Sequence, residues 1–199
     1  MNVKVLDSRV AGTRFKIGPV RLSHLHVFEP YKFDSTDDKP GKYSACILIP
    51  KDEPDVVAAV KKAIRAAYEA GVITKWQGKR PPIGEYAPMV DGDSLNKNGD
   101  ERGAECHGHW FLNAKSGTAP LVVDARRVPI APETGDSVIY SGSWGNAVIS
   151  FAAYDSNGSR GISVYLEGIQ KVKDDAKFGG GINADVFDVL ESESEEDIF

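Results

Sequence analysis

Apolar and polar residues alternate along much of this chain, which is the pattern of strands in a half-buried sheet. In residues 12–28, Leu25 and Val27 alternate with His24 and His26. A break at Gly18-Pro19 allows one strand or two there. Further strands are predicted over residues 43–50, 107–116, 120–130, 137–154 and 161–172. The last two flank Asn157-Gly158, which predicts a β-hairpin.

One segment has helical periodicity instead. Apolar residues recur at spacings of three and four between Asp52 and Gly71, which predicts an amphipathic helix. Asp52 is a suitable N-cap, Pro54 is tolerated in a first turn, and glycine commonly ends a helix. Residues 72–105 are polar and rich in turn residues, which predicts a long insertion. Together these segments predict a mainly β fold, a β-barrel with an inserted helix.

The charge of the chain is unevenly distributed. The net charge of −5 includes seven acidic residues and no Lys or Arg between positions 185 and 199. The rest of the chain keeps 24 basic against 22 acidic residues and is weakly basic. Three glycines follow Phe178. The sequence therefore predicts a folded body over residues 1–177, and a glycine hinge with a disordered acidic tail over residues 178–199.

Several functional classes are disfavoured. The chain has two cysteines, no apolar run of membrane-spanning length and no signal-peptide pattern at its start, so we expect a protein of the reducing cytoplasm. It lacks the phosphate-loop, dinucleotide, HExxH and GxSxG motifs. Residues 91–101 fail the calcium-loop template, and Cys106, His107 and His109 lack a fourth zinc ligand nearby. We therefore expect no enzyme, no cofactor and no metal ion.

Aromatic and basic residues are interleaved in the predicted loops. Proteins that bind single-stranded nucleic acid offer rings on which bases stack and cations for the phosphates. The candidate rings are Tyr31, Phe33, Trp76, Tyr140 and Trp144. The candidate cations are Lys32, Lys42, Lys79, Arg80, Arg126 and Arg127. The aromatic residues within predicted strands are assigned to the core: Phe111, Phe151, Tyr154 and Tyr165.

The acidic tail is a candidate for binding a partner. Its last residues combine carboxylates with an apolar pair, which suits a basic, aromatic-lined pocket on another protein. The residues concerned are Glu193, Glu195, Glu196, Asp197, Ile198 and Phe199.

Several segments together resemble a known family. They are YSACILIPK (43–51), PMVDGD (88–93), NAKSGTAPLVVD (113–124), the stretch 140–172, FGG (178–180) and the tail DVLESESEEDIF. Their order resembles tailed-phage replisomal single-stranded-DNA-binding proteins. The resemblance implies an oligonucleotide/oligosaccharide-binding (OB) fold and sequence-independent binding of single-stranded DNA in replication, recombination or repair, without catalysis. It also implies a tail that competes with DNA and recruits replisome proteins.

Two alternatives from other classes stay open at this point. A two-metal nuclease would use Asp91, Asp93, Glu101 and His109. A protein-only scaffold would use the acidic tail and bind no DNA. A homo-oligomer is an open alternative to a monomer.

Overall fold

The computed structural model describes residues 1–32, 40–84 and 87–179. Within these residues the chain forms eight strands, two α-helices and one 3₁₀ turn. In chain order they are β1 (Asn2–Val5), β2 (Arg14–Tyr31), β3 (Lys42–Pro50), α1 (Pro54–Thr74), β4 (Val90–Asp91), the 3₁₀ turn (Ala104–Cys106), β5 (His109–Ser116), β6 (Leu121–Val123), α2 (Pro132–Val138), β7 (Trp144–Ser156) and β8 (Ser159–Lys173). In the described part of the chain, neither helix has the length and hydropathy that crossing a membrane requires.

Five of the strands close into a barrel. β2 pairs with β3 and β7, β3 with β5, and β7 with β8, all antiparallel. A parallel contact between β5 and β8, at Lys115 and Tyr165, closes the ring. The order β2-β3-β5-β8-β7 is the 1-2-3-5-4 order of an OB fold. The prediction of a mainly β barrel with an inserted helix is thus confirmed.

The barrel interior explains the alternation in the sequence. Ile47 and Ile49 of β3 and Leu112 of β5 point inward and are fully buried. Helix α1 lies against β7 and adds Val60 and Ile64 to the same core. Burial of this continuous apolar cluster makes the main favourable contribution to the free energy of folding.

Helix α1 differs from its predicted bounds. Its N-cap is Glu53, with no side-chain capping bond, and it continues past Gly71 to Thr74. Gly71 lies where α1 approaches β7 closely, and a Cβ there would clash with the Cβ of Ala153. The prediction that Gly71 ends the helix is wrong, because this glycine serves the packing of the helix and not its termination.

Other strand predictions have mixed outcomes. The hairpin at Asn157-Gly158 is confirmed, and both residues have the positive φ angles of a tight two-residue turn. β2 runs as one strand through Gly18-Pro19. Residues 120–130 form only the short β6 and then a turn, in which the Asp124 carboxylate accepts backbone N–H bonds. Helix α2 was not predicted.

The insertion between α1 and β5 packs on the outside of the barrel. Its residue Cys106 joins Cys46, Leu48 and Phe111 in a second apolar cluster on the outer face of β3 and β5. The insertion is therefore held close to this face, and it forms one wall of the cavity described next.

Candidate nucleic-acid interface

A trough crosses the outer face of β2, β3, β5 and β8. Its first cavity, of about 590 Å³, lies between the strands and the insertion and is lined by His26, Tyr31 and Arg102 among others. A second cavity, of about 320 Å³, lies over β5 and β8. The two share Asn113 and Lys115 in their linings, so they adjoin each other. In OB folds the outer face of the second and third barrel strands, here β3 and β5, is the surface that binds oligonucleotides.

The trough offers flat rings to a ligand. Tyr31 stacks on His26 with 4.4 Å between ring centroids and an interplanar angle of 16°. Tyr31 is 52% exposed, and Tyr165, in the second cavity, is 45% exposed. Exposed rings of this kind are the platforms on which bases stack.

A third cavity continues the trough along α1. It has a volume of about 720 Å³ and shares Ile162 with the second. The second and third cavities are lined by six basic residues: Lys42, Lys61, Lys62, Arg65, Arg80 and Lys115. Among the lining residues that the structure describes, the acidic one is Glu69, which Arg80 binds through two bonds of 2.9 and 2.8 Å. Beyond the first cavity, where Glu101 and Glu105 offset Arg102, the described lining of the trough is therefore cationic.

A second group of rings and cations lies beside the trough, on β2, β7 and β8 and on the segments that precede β7 and follow β8. The Cζ of Arg21 lies 5.6 Å and the Nζ of Lys173 4.9 Å from the ring centre of Trp144. The Nζ of Lys177 lies 4.9 Å from the ring centre of Tyr140. Residues 174–178, which follow β8, cover Tyr140 and Trp144 and are called the strap below.

The predicted DNA-binding residues fall in different places. Tyr31 and Lys42 line the trough, and Arg80 lines the α1 cavity. Tyr140 and Trp144 lie under the strap. The remaining cations are exposed outside these cavities: Lys32 beside Tyr31, Lys79 after α1, and Arg126 and Arg127 in the turn after β6. Phe33 lies outside the described residues, as do Glu193, Glu195, Glu196, Asp197, Ile198 and Phe199.

The prediction for Trp76 is wrong. Its side chain is fully buried, with 0% exposure. Its indole N–H donates to the backbone carbonyl of Tyr154 at 3.0 Å, and Tyr68 packs edge-on at 5.2 Å. No face of the ring is open to a base, because the polar segment around Trp76 in sequence folds back over the core.

The assignment of Tyr165 to the core is also wrong. Its neighbours Val164 and Leu166 point inward, so the alternation of β8 turns Tyr165 outward. The same rule, applied to β5, places Lys115 outside between Ala114 and Ser116. The alternation of inward and outward residues along β8 and β5 could therefore have identified Tyr165 and Lys115 as surface residues from the sequence. Alternation with Leu25 and Val27 gave the same signal for His26, whereas Arg102 had none, since its position depends on the folding of the insertion.

Two carboxylates of the nuclease alternative, Asp91 and Asp93, have a structural role. Lys51 donates to Asp91 and, at 2.7 Å, to Asp93, and these bonds lower the pKa of both carboxyl groups. They fasten the insertion to the end of β3. Across residues 1–32, 40–84 and 87–179 no three His, Cys, Asp or Glu side chains are grouped to hold a metal ion.

The barrel order and the trough define an OB-fold protein with a ring-lined, cationic surface suited to a flexible polyanion. Comparison with known proteins identifies the family. Residues 13–199 match the family model described as "Enterobacter phage Enc34, ssDNA-binding protein". The chain belongs to this family, which confirms the resemblance noted from the sequence.

Individual relatives agree with this assignment. Protein p50 of Acyrthosiphon pisum secondary endosymbiont phage 1 is 30% identical over 190 residues, covering 93% of this chain and 98% of the relative. The single-stranded DNA-binding protein from bacteriophage Enc34, solved in complex with ssDNA, is 24% identical and covers 89% of this chain and 98% of its own, with a TM-score of 0.71. The protein gp2.5 of bacteriophage T7 is 17% identical over 85% of this chain and 97% of its own, with a TM-score of 0.53. The two solved structures share the fold.

Proposed function

We propose that this protein binds single-stranded DNA in the trough, without sequence preference and without catalysis, during phage DNA replication, recombination or repair. The observation that carries the proposal is the exposed Tyr31–His26 stack beside the cationic second and third cavities. Stacking and phosphate contacts are both indifferent to base identity, so this chemistry favours binding without sequence preference.

The arrangement of side chains suggests how the strand lies. Bases would stack on Tyr31 and Tyr165, and phosphates would pair with Lys42 and Lys115 between them. A longer strand would continue toward Arg80 in the α1 cavity. Lys32, Lys79, Arg126 and Arg127 are further proposed phosphate contacts at the margins, and Phe33 a further ring.

The acidic tail would compete with DNA for this surface. The strap that leads to it ends at the second apolar cluster, which contains Phe111 and against which Phe178 packs. Phe111 also lines the first cavity, so the chain continues toward the tail from the edge of the trough. A bound strand would release the tail, and residues 193–199 would then bind replication proteins.

A mobility-shift experiment tests the proposal. Labelled single- and double-stranded oligonucleotides are mixed with the protein, with and without Mg²⁺. We expect a shift that prefers the single strand and no cleavage. Cleavage would favour the nuclease, and no shift would favour the protein-only scaffold.

Two substitutions locate the binding surface. Tyr31→Ala should weaken binding of the single strand by about 1–3 kcal/mol, through the loss of a stacking platform. Lys115→Glu should also weaken it, whereas the matched control Lys4→Glu, on the exposed edge strand β1, should not. Equal effects of the two lysine variants would contradict a binding surface in the trough.

A further inference from the structure

The strap makes specific polar contacts with the barrel. The Asp175 carboxylate accepts from Arg21 Nη1 at 2.9 Å and, through the same oxygen, from Trp144 Nε1 at 2.7 Å. Arg21 Nη2 donates to the carbonyl of Ala176 at 2.9 Å. The Phe178 ring lies over the Arg21 guanidinium, with 4.4 Å from Cζ to the ring centre. One arginine thus holds an anion and stacks on a ring at the same time.

These contacts reproduce the way in which proteins bind a nucleotide. A guanidinium binds phosphate oxygens through its fork of N–H groups, and its flat face stacks on a base. The carboxylate of Asp175 stands in the position of the phosphate, and the Phe178 ring in the position of the base. Arg21 Nε is buried and, among the residues that the structure describes, has no hydrogen-bond partner. Asp175 presents only one oxygen to Arg21 and Trp144, since its other oxygen accepts from the Ala176 N–H. A phosphate group offers more acceptor oxygens, so it can also satisfy this third donor.

The position of this group makes it a continuation of the trough. Phe178 packs against the second apolar cluster, and two members of that cluster, Cys46 and Phe111, also line the first cavity. On the far side Lys173 lies over Trp144, where it adds positive charge. A strand that leaves the first cavity across the barrel face would therefore meet Arg21 and Trp144 next.

We propose that Arg21 and Trp144 form a nucleotide subsite at the end of the trough, and that residues 175–178 of the same chain occupy it until DNA displaces them. This inference rests on the proposed binding of single-stranded DNA. It concerns the Asp175 carboxylate of the strap, and not the acidic segment that begins at Asp185. Displacement of the strap by DNA exchanges only the hydrogen bonds and ring contacts named above, and no covalent bond changes.

The first test removes the anion of the strap in the full-length chain. Asp175→Ala should tighten the binding of a single-stranded oligonucleotide about two- to fivefold at low salt, because an exposed ion pair contributes about that factor. The charge-matched control is Asp52→Ala, an exposed carboxylate just before α1. An equal gain in DNA affinity in both variants would reflect net charge alone and would overturn the inference. Unchanged affinity in Asp175→Ala would overturn it as well.

The second test asks whether the uncovered residues bind DNA. In the Asp175→Ala background, Arg21→Ala should weaken binding about tenfold, through the loss of a charged hydrogen-bond donor. Circular dichroism would confirm that both variants are folded. Equal affinity of the single and double variants would reject the subsite while leaving DNA binding itself intact. Failure of the wild-type protein to bind would reject the proposed function instead.

Discussion

Trp76 and Trp144 are the same residue type in opposite surroundings. Trp76 is enclosed by α1, Tyr68 and the Tyr154 backbone, whereas Trp144 lies half-buried under the strap. Trp76→Ala should therefore lower the free energy of unfolding by about 3–5 kcal/mol, the usual cost of a large cavity. Urea denaturation measures this, with Trp144→Ala as the matched control. A loss in Trp76→Ala no larger than in the control would contradict the buried position.

The two cysteines lead to a chemical prediction. Burial, with smaller contributions from Cys106 and Glu105, raises the pKa of the Cys46 thiol to about 12. Burial also raises the pKa of Cys106. Because the thiolate is the reactive form, iodoacetamide should label neither residue appreciably at pH 8 in the folded protein. Mass spectrometry measures labelling, with the urea-unfolded protein as the reactive control, and rapid native labelling would contradict the packing of the insertion on β3.

At the scale of elements, the ion pairs of Lys51 with Asp91 and Asp93 join β3 to the insertion and are called the clasp here. The stability that the clasp contributes depends on pH. The bonds from Lys51 lower the pKa of Asp91 and Asp93 below the ordinary 3.8, so their contribution to stability is lost as the pH falls through these lowered values. The same bonds raise the pKa of Lys51 above 10.5, so its contribution is lost as the pH rises through that raised value. The clasp should therefore stabilise the protein between about pH 4 and pH 10.

A comparison of variants tests this window. Lys51→Met should lower the urea midpoint within the window and converge with the wild type only beyond it, as the pH falls through the lowered pKa values of Asp91 and Asp93 or rises through the raised pKa of Lys51. Fluorescence of Trp110, whose ring centre lies 5.2 Å from the Lys51 Nζ, reports on the same region. A difference between the two proteins that does not depend on pH would show that the charge of Lys51 is unimportant.

The elements themselves show what the sequence could predict. Alternation and turn chemistry are local, and they identified the β7–β8 hairpin and the segments that close the barrel. The end of α1 and the burial of Trp76 depend on contacts with β7, which lies more than 70 residues further along the chain. The trough was only partly predictable, because its lining residues come from strands far apart in the sequence. Lys115 lines one cavity with Tyr31 and the other with Lys42 and Tyr165, and this arrangement exists only once β5 and β8 close the barrel.

For the whole molecule, the cationic surface predicts a dependence on salt. For single strands the slope of log K against log salt is about −0.7 for each phosphate neutralised. Three to six phosphate contacts along the trough would give a slope of about −2 to −4. Fluorescence anisotropy across a salt series measures this slope, and a flat response would contradict the electrostatic part of the binding model.

The acidic tail should oppose DNA binding. Deleting residues 185–199 removes seven carboxylates and no basic residue. The truncated protein should bind single-stranded DNA more tightly, and the gain should shrink as added salt screens both polyanions. The same anisotropy series, run on both proteins, measures the gain. Weaker or unchanged binding would argue against competition between tail and DNA.

The position of the strap also decides how strong such competition can be. Gly179, the last described residue, follows Phe178 at the edge of the trough, so the acidic segment is attached within a few residues of the surface it would cover. The glycine hinge predicted from the sequence would be a short flexible attachment, which corresponds to an effective concentration of about a millimolar. Binding of the acidic segment to the trough would then be an intramolecular step, so the fraction of troughs that it occupies would not depend on the protein concentration. A detached peptide of the same sequence would have to be added at about millimolar concentration to have the same effect.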